Sequence, residues 1–330
     1  RGKITMFADK SMTAEQAALL ARVRKSEHEI KMAKFKRNLK TPRWVFWMLF
    51  KYFTFFIASV AVLVPPYSVF ITSFKTIDQY YDINVSKLHA QLDYFTNFDN
   101  YVKAFEFGNL GTGFVNTAII LGISLFFTII FGTQVAYVLS RFAFRGKKFV
   151  IFLYLMAMLI PAITTQVATF QVIYTIDYFF KTFISKEFAD AIVMWKVIVL
   201  YVGADVVMIY VFLQFMKGIP VELDEAAKLE GANYFTIYAK IILPLLKPAI
   251  ATIIILRTIY IYNDFYFPLL YLPDMQTVST ALYHFVDSPT GTQPTLLSAG
   301  VIIVLIPSIV GFLLLQKQIY AGVTNGAVKG

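Results

Sequence analysis

Side chains able to do covalent chemistry are few and scattered. The chain has no cysteine, which excludes a thiolate nucleophile, a disulfide frame and a Cys-ligated metal. His28, His89 and His284 lie on different segments and no His-Glu-x-x-His occurs, so no metal-ligating set is expected. Gly122-Ile123-Ser124-Leu125-Phe126 lacks the final glycine of a nucleophile elbow. A phosphate-cradling loop needs Gly, four residues, then Gly-Lys-Ser/Thr. The Gly108 to Gly113 cluster lacks the lysine, and Arg145-Gly146-Lys147-Lys148 lacks the first glycine and the hydroxyl. No catalytic residue is assigned, and any nucleotide-driven step must fall to another polypeptide.

What remains is a handful of ionisable and polar residues inside apolar blocks, where charge is costly and marks function. Asp205 and Arg257 sit at similar depths, each about ten residues from one end of its block. They either form an intramembrane ion pair or face a watery cavity separately. Asp264 follows Arg257 by two helical turns, about 10 Å further along nearly the same face. With Asn263, Phe265 and Tyr266 it could hold a sugar, carboxylate and amide meeting hydroxyls and rings meeting the apolar sugar face. Alternatively, Asn263 and Asp264 join helices and the rings pack. Thr165 and Gln166, just past Pro161, are a weaker candidate for the same cavity.

The elements that must position these residues follow from composition. Of 330 residues, 58% are hydrophobic, 17% aromatic and only 15% charged, against about 25% charged in soluble chains. The mean hydropathy is +0.64. Charges vanish in blocks long enough to cross a bilayer core of about 30 Å, which excludes a soluble enzyme, a disordered chain and a nucleic-acid binder. Six blocks qualify: Tyr52 to Phe74, Phe107 to Ser140, Phe149 to Ile176, Ala191 to Met216, Pro248 to Leu272 and Leu296 to Leu315. Pro65 and Pro66 should bend or end the first. The expected fold is all-α and polytopic, with six transmembrane helices.

The net charge of +10 gives direction. If all six blocks cross, segments 1–43, 141–148, 217–247 and 316–330 share one side and hold 22 Lys and Arg, against 5 in 75–106, 177–190 and 273–294. Both termini are therefore expected in the cytoplasm. Two parts are expected, a basic arm over 1–43 and a six-span domain over 44–330. In the arm, Thr13 and Gln16 could form a capping box for a helix from Ala14, with Pro42 terminating it. Its basic residues lie against anionic headgroups or meet a specific partner.

The longest cytoplasmic connection, 217–247, carries the mechanism. Pro220 suits a first helical turn, Glu222, Asp224 and Glu225 complement the positive end of a helix dipole, and Ala226 and Ala227 keep the helix narrow. Gly231 can stop it in a left-handed conformation. A second helix is expected from about Asn233, ending before Pro244. The result is a short helix held crosswise between two spans, a knob suited to a cytoplasmic partner.

Glu225-Ala226-Ala227, three residues, Gly231, nine residues, Ile241, one residue, then Leu243-Pro244 resembles the EAA loop of permease subunits in binding-protein-dependent ABC importers. Asn100-Tyr101, Asn116-Thr117, Ala136-Tyr137, Arg141-Phe142 with Arg145-Gly146, Tyr262-Asn263-Asp264-Phe265 and the ending Asn325 to Gly330 are similar to the carbohydrate-class permease, in particular the smaller permease of maltose-type importers. The likeness covers about Phe98 to Gly330. It departs at Tyr262, usually Trp, at Glu230, commonly Asp, and in the length of the basic arm.

The resemblance implies a type I importer permease fold in a bacterial inner membrane. It also implies a second permease subunit as heterodimeric partner, two ATP-binding subunits holding ATP and Mg, and an extracytoplasmic solute-binding protein delivering a carbohydrate, an oligosaccharide by that likeness. Glu222, Glu225, Ala226, Ala227, Gly231, Leu243 and Pro244 would couple to the ATPase, and the chain itself would bind no cofactor or metal. Rival readings are a permease for a non-sugar solute, an ion-coupled secondary transporter relaying through Asp205, Arg257 and Asp264, and a membrane-embedded enzyme.

Overall fold

A computed structural model describes residues 27, 29, 30, 32, 41–84, 86–202, 206–286 and 293–327. Asp205, the Thr13/Gln16 capping box and the last three residues of the ending lie outside the described residues. The chain divides into two compact units, 1–67 and 68–330.

In the first unit the described structure is mostly the start of α1 (Pro42–Phe74). Thr41 accepts from the backbone N–H groups of Trp44 and Val45, so Pro42 opens this helix at the position where its missing N–H is not needed. The helix does not end at Pro65 and Pro66 but runs through both. Each proline forfeits one backbone hydrogen bond, and the intact turns on both sides carry an apolar helix across such a gap.

The second unit begins with the end of α1, whose last carbonyls are capped from a distance. Asn97 donates to Phe74 O, and Asn100 donates to Ser73 O and Lys75 O at 2.9 and 2.8 Å. Lys75 is almost wholly buried and donates to Lys87 O at 3.1 Å; burial, with Lys87 nearby, lowers the pKa of its amine. Then come α2 (Ile77–Tyr81), α3 (Asp99–Phe107) and α4 (Leu110–Arg141). They are followed by α5 (Lys147–Leu159), α6 (Ala162–Phe179), α7 (Lys186–Ala191), α8 (Trp195–Val202) and α9 (Val206–Lys217). The rest is α10 (Glu222–Leu229), α11 (Tyr234–Ile237), α12 (Lys247–Asn263), α13 (Tyr266–Tyr271), α14 (Val278–Ala281) and α15 (Pro294–Ala327).

Among the described residues α1, α4 and the first 21 residues of α15 are each long and apolar enough to cross a bilayer. The expected third span is divided: Pro161 separates α5, 13 residues, from α6, 18 residues, because a proline ring clashes with the carbonyl one turn back. The expected fifth span also comprises two helices, broken at Asp264. Before it, Tyr234–Leu245 meets α12 at a 70° bend.

Helix α4 is the axis of this unit and packs against α8, α9, α12 and α14. Its Ala136, Tyr137 and Leu139 belong to one core with Met208, Phe212, Met216 and Ala227. Its Ile120 belongs to another with Ile173, Val197, Tyr201 and Tyr271. Sixteen residues of helix put the two cores about 24 Å apart. Small residues allow the close approaches. A Cβ on Gly132 would meet Met208 and Phe212 at 2.8 to 3.0 Å, and one on Gly113 would meet the Thr277 backbone at 3.2 Å. Across that second contact, Asn116 donates to Gln276 O and Thr117 accepts from Val278 N.

Candidate functional site: a crosswise helix anchored by a buried ion pair

The connection after α9 forms the expected knob. Val221 caps α10, its carbonyl accepting from the N–H groups of Asp224 and Glu225. Pro220 thus stands just before the cap, not in the first turn. Asp224 and Ala227, three residues apart and so on one face, are buried, whereas Glu222, Leu223, Glu225, Ala226 and Leu229 face outward. Leu229 is 91% exposed.

The inward face is held by charge. Asp224 Oδ2 lies 2.9 Å from Arg141 Nε, with both side chains under a tenth exposed. Arg141 Nη2 also donates to Ile219 O at 2.9 Å. The last residue of α4 therefore grips both the helix and the strap leading into it. Removing one partner of such a pair strands a buried charge, a loss of about 3 to 5 kcal/mol.

The far end of α10 closes through Gly231 at φ +84°. Gly231 N donates to Lys228 O and Ala232 N to Ala227 O, both at 2.9 Å, and Ala232 packs on the core containing Ala227. This is the Schellman arrangement expected of a glycine stop. Asn233 then caps α11 by accepting from Thr236 N at 2.8 Å. The helix does not end before Pro244. It passes through a π-turn, Tyr238–Ile242, and continues to Leu245, the wider turn relieving the clash that Pro244 would impose on a regular one. Tyr238 shares a buried 2.7 Å hydrogen bond with Thr133 of α4. Leu243 packs on the same core, and Pro244 is exposed.

The residues assigned to the path fall into two groups. Asp264, at the break between α12 and α13, has both carboxylate oxygens engaged. Oδ2 accepts from Tyr201 OH at 2.8 Å and Oδ1 from Tyr266 N at 2.9 Å, while its carbonyl accepts from Ser279. Arg257 donates to Tyr201 O and lies over the Tyr260 ring. Asp264 and Arg257 thus meet at Tyr201. Asn263 and Tyr266 are exposed. Asn263 donates to Ile259 O and lines a cavity of 340 Å³ with Thr258, Tyr262, Pro307 and Ser308. Phe265 packs on Tyr283. On α6, Thr165 is exposed, and Gln166 Nε2 donates to Tyr271 OH at 3.3 Å. Among the described residues no group of three or more His, Asp or Glu is placed to hold a metal.

Sequence reasoning missed Tyr201, which bears no charge, and the partnership of Arg141 with Asp224. The only signal for the latter was an arginine ending one span and one acid among four in a distant loop. Comparison with known proteins bears on the whole arrangement. Residues 128–323 match the family described as "Binding-protein-dependent transport system inner membrane component". The chain is 34% identical to the melibiose/raffinose/stachyose import permease protein MelC of Bacillus subtilis, over 83% of this chain and 94% of that protein. It is 26% identical to the maltodextrin transport system permease protein MalD of Streptococcus pneumoniae, over 82% and 92%. Its fold resembles a chain in the crystal structure of a bacterial ABC transporter involved in the import of the acidic polysaccharide alginate. There the TM-score is 0.68 at 20% identity, covering 84% of this chain and 98% of that one.

Proposed function

Because the chain belongs to the family of inner membrane components of binding-protein-dependent transport systems, we propose that it is a carbohydrate permease subunit of an ATP-driven importer. Its cargo is an oligosaccharide, as the names of its relatives suggest. It pairs with a second permease subunit to enclose the path, receives substrate from an extracytoplasmic binding protein, and is driven by two ATP-binding subunits. ATP and Mg are theirs, and this chain contributes no catalytic group. The termini and α10 face the cytoplasm, as the 22 to 5 bias of basic residues requires.

One observation carries this reading: α10 presents Glu222, Glu225, Ala226 and Leu229 outward while Asp224 is locked to α4 through Arg141. A helix that is anchored inside by a buried ion pair and presents exposed acidic and apolar side chains outside transmits a push from a partner into the span it is tied to. Gly231, Leu243 and Pro244 shape the strap behind it. Asn263, Phe265, Tyr266, Thr165 and Gln166 line the path, and Asp264 orients the first three by fixing the break between α12 and α13. Asp205, at a similar depth to Arg257 along the sequence, is assigned as its intramembrane ion-pair partner.

Reconstitution with the partner subunits tests the assignment. Wild-type complex should import an oligosaccharide at the expense of ATP. Glu225→Lys or Gly231→Pro should leave the chain inserted but break the link between hydrolysis and uptake. Normal uptake by these variants would remove the docking role, and a chain active without any ATPase would remove the importer reading altogether.

A further inference from the structure

A cavity of 530 Å³, within the range of small-ligand sites, remains unassigned between α6, the start of α8 and the segment after α13. Its walls include Ile173 and Tyr271 of the Ile120 core, so it lies at the end of α4 remote from α10. On α6, Gln166, Phe170, Tyr174 and Asp177 recur at spacings of four, four and three, which places them on one face. The Phe170 and Tyr174 rings are stacked, 6.4 Å apart and 16° from parallel, and Tyr271 lies 5.9 Å from Phe170. Phe170 and Tyr174 are 41% and 63% exposed and both line the cavity.

A charged network closes the same face. Buried Asp177 sits 3.0 Å from both Lys181 and Lys196, and Lys181 lies 3.9 Å from Asp190. Burial alone would raise the Asp177 carboxyl pKa, but the hydrogen bonds from Lys196 and then Lys181 outweigh it and hold it below the ordinary value. The group therefore stays ionised and keeps both lysines in place. Lys181 and Asp190 remain partly exposed, giving one donor and one acceptor beside an aromatic wall. A polyhydroxylated ring with one apolar face matches that combination.

We propose that this cavity is a saccharide-contact site at the outer mouth of the path, where a sugar ring lies on Tyr174 or Phe170 and its hydroxyls meet Lys181 and Asp190. The site rests on the importer reading, which supplies the substrate class. It hands the sugar inward along α6 towards Gln166.

The experiment uses the reconstituted complex and the natural absence of cysteine from this chain. First, the best imported of raffinose, maltotriose and a galacto-oligosaccharide is chosen with wild-type complex. Tyr174→Cys is then labelled by an impermeant maleimide, with ATP and binding protein omitted, in the presence and absence of that sugar. Phe183→Cys, at an exposed position outside the cavity, is the control. The sugar should slow labelling at 174 and leave 183 unchanged. In uptake, Tyr174→Leu should lose about fivefold in rate, the scale of one aromatic contact, with Tyr174→Trp restoring transport. Equal labelling with and without sugar, or full uptake by Tyr174→Leu, would overturn the site. Import of none of the sugars by wild-type complex would instead defeat the importer reading, and the site with it.

Discussion

At the scale of single residues, the coupling knob depends on one buried pair and one glycine. Arg141 and Asp224 are each under a tenth exposed, so Arg141→Met should destabilise the protein by about 3 to 5 kcal/mol by stranding a buried carboxylate. Adding Asp224→Leu should recover much of that loss while uptake stays impaired, because the apolar pair packs but no longer grips Ile219 O. Thermal unfolding of the purified complex, together with uptake, reads both effects, and additive single losses would deny the pairing. Gly231 illustrates a different cost. A Cβ there meets nothing within 4 Å, but φ is +84°, so Gly231→Ala should cost about 1 to 2 kcal/mol through backbone strain alone. The glycine was legible in the sequence because its role is local. The Arg141 partner was not, because it is set by tertiary packing across two spans.

At the scale of elements, the sequence marked where apolar stretches lie but not where helices break within them. Pro161 divides one expected span, whereas Pro65 and Pro66 leave α1 continuous. Proline removes the same bond in each case, yet the outcomes differ. The break at Asp264 did carry a proline signal, since Pro268 in the first turn of α13 crowds the Asp264 carbonyl, which accepts from Ser279 instead; the carboxylate caps the next helix through Tyr266 N and binds Tyr201. The charged network around Asp177 joins α6 to the start of α8 and makes a pH prediction. Asp177 titrates below its ordinary 3.8 in the folded protein, so its contribution is full above that value and is lost as pH falls through the lowered one. Lys181 titrates above its ordinary 10.5, the Asp177 hydrogen bond being the main cause, so its contribution is full below 10.5 and is lost only as pH rises past the raised value. Asp177→Asn should therefore lower the melting temperature throughout the neutral range, and the difference from wild type should close only in strong acid. A difference that opened in acid would contradict the assignment.

At the scale of the whole molecule, hydropathy and charge bias carried most of what was legible, since both follow from the bilayer and require no knowledge of packing. Six apolar blocks and the crosswise helix were visible; which blocks form one continuous helix was not. The charge bias also commits the protein to a direction that the absence of cysteine makes simple to test. Ile83, 98% exposed in the 75–106 connection, and Leu229, 91% exposed on α10, should lie on opposite sides of the membrane. In intact cells an impermeant maleimide should label Ile83→Cys promptly and Leu229→Cys only after permeabilisation. Once the membrane is open, Leu229→Cys should react more slowly when the ATP-binding subunits are co-expressed, because α10 is then covered. Ile83→Cys should be indifferent to those subunits. Labelling of Leu229→Cys from outside would reverse the orientation and place the knob where no ATP-driven partner could reach it, so one pair of substitutions tests the charge bias and the coupling role together.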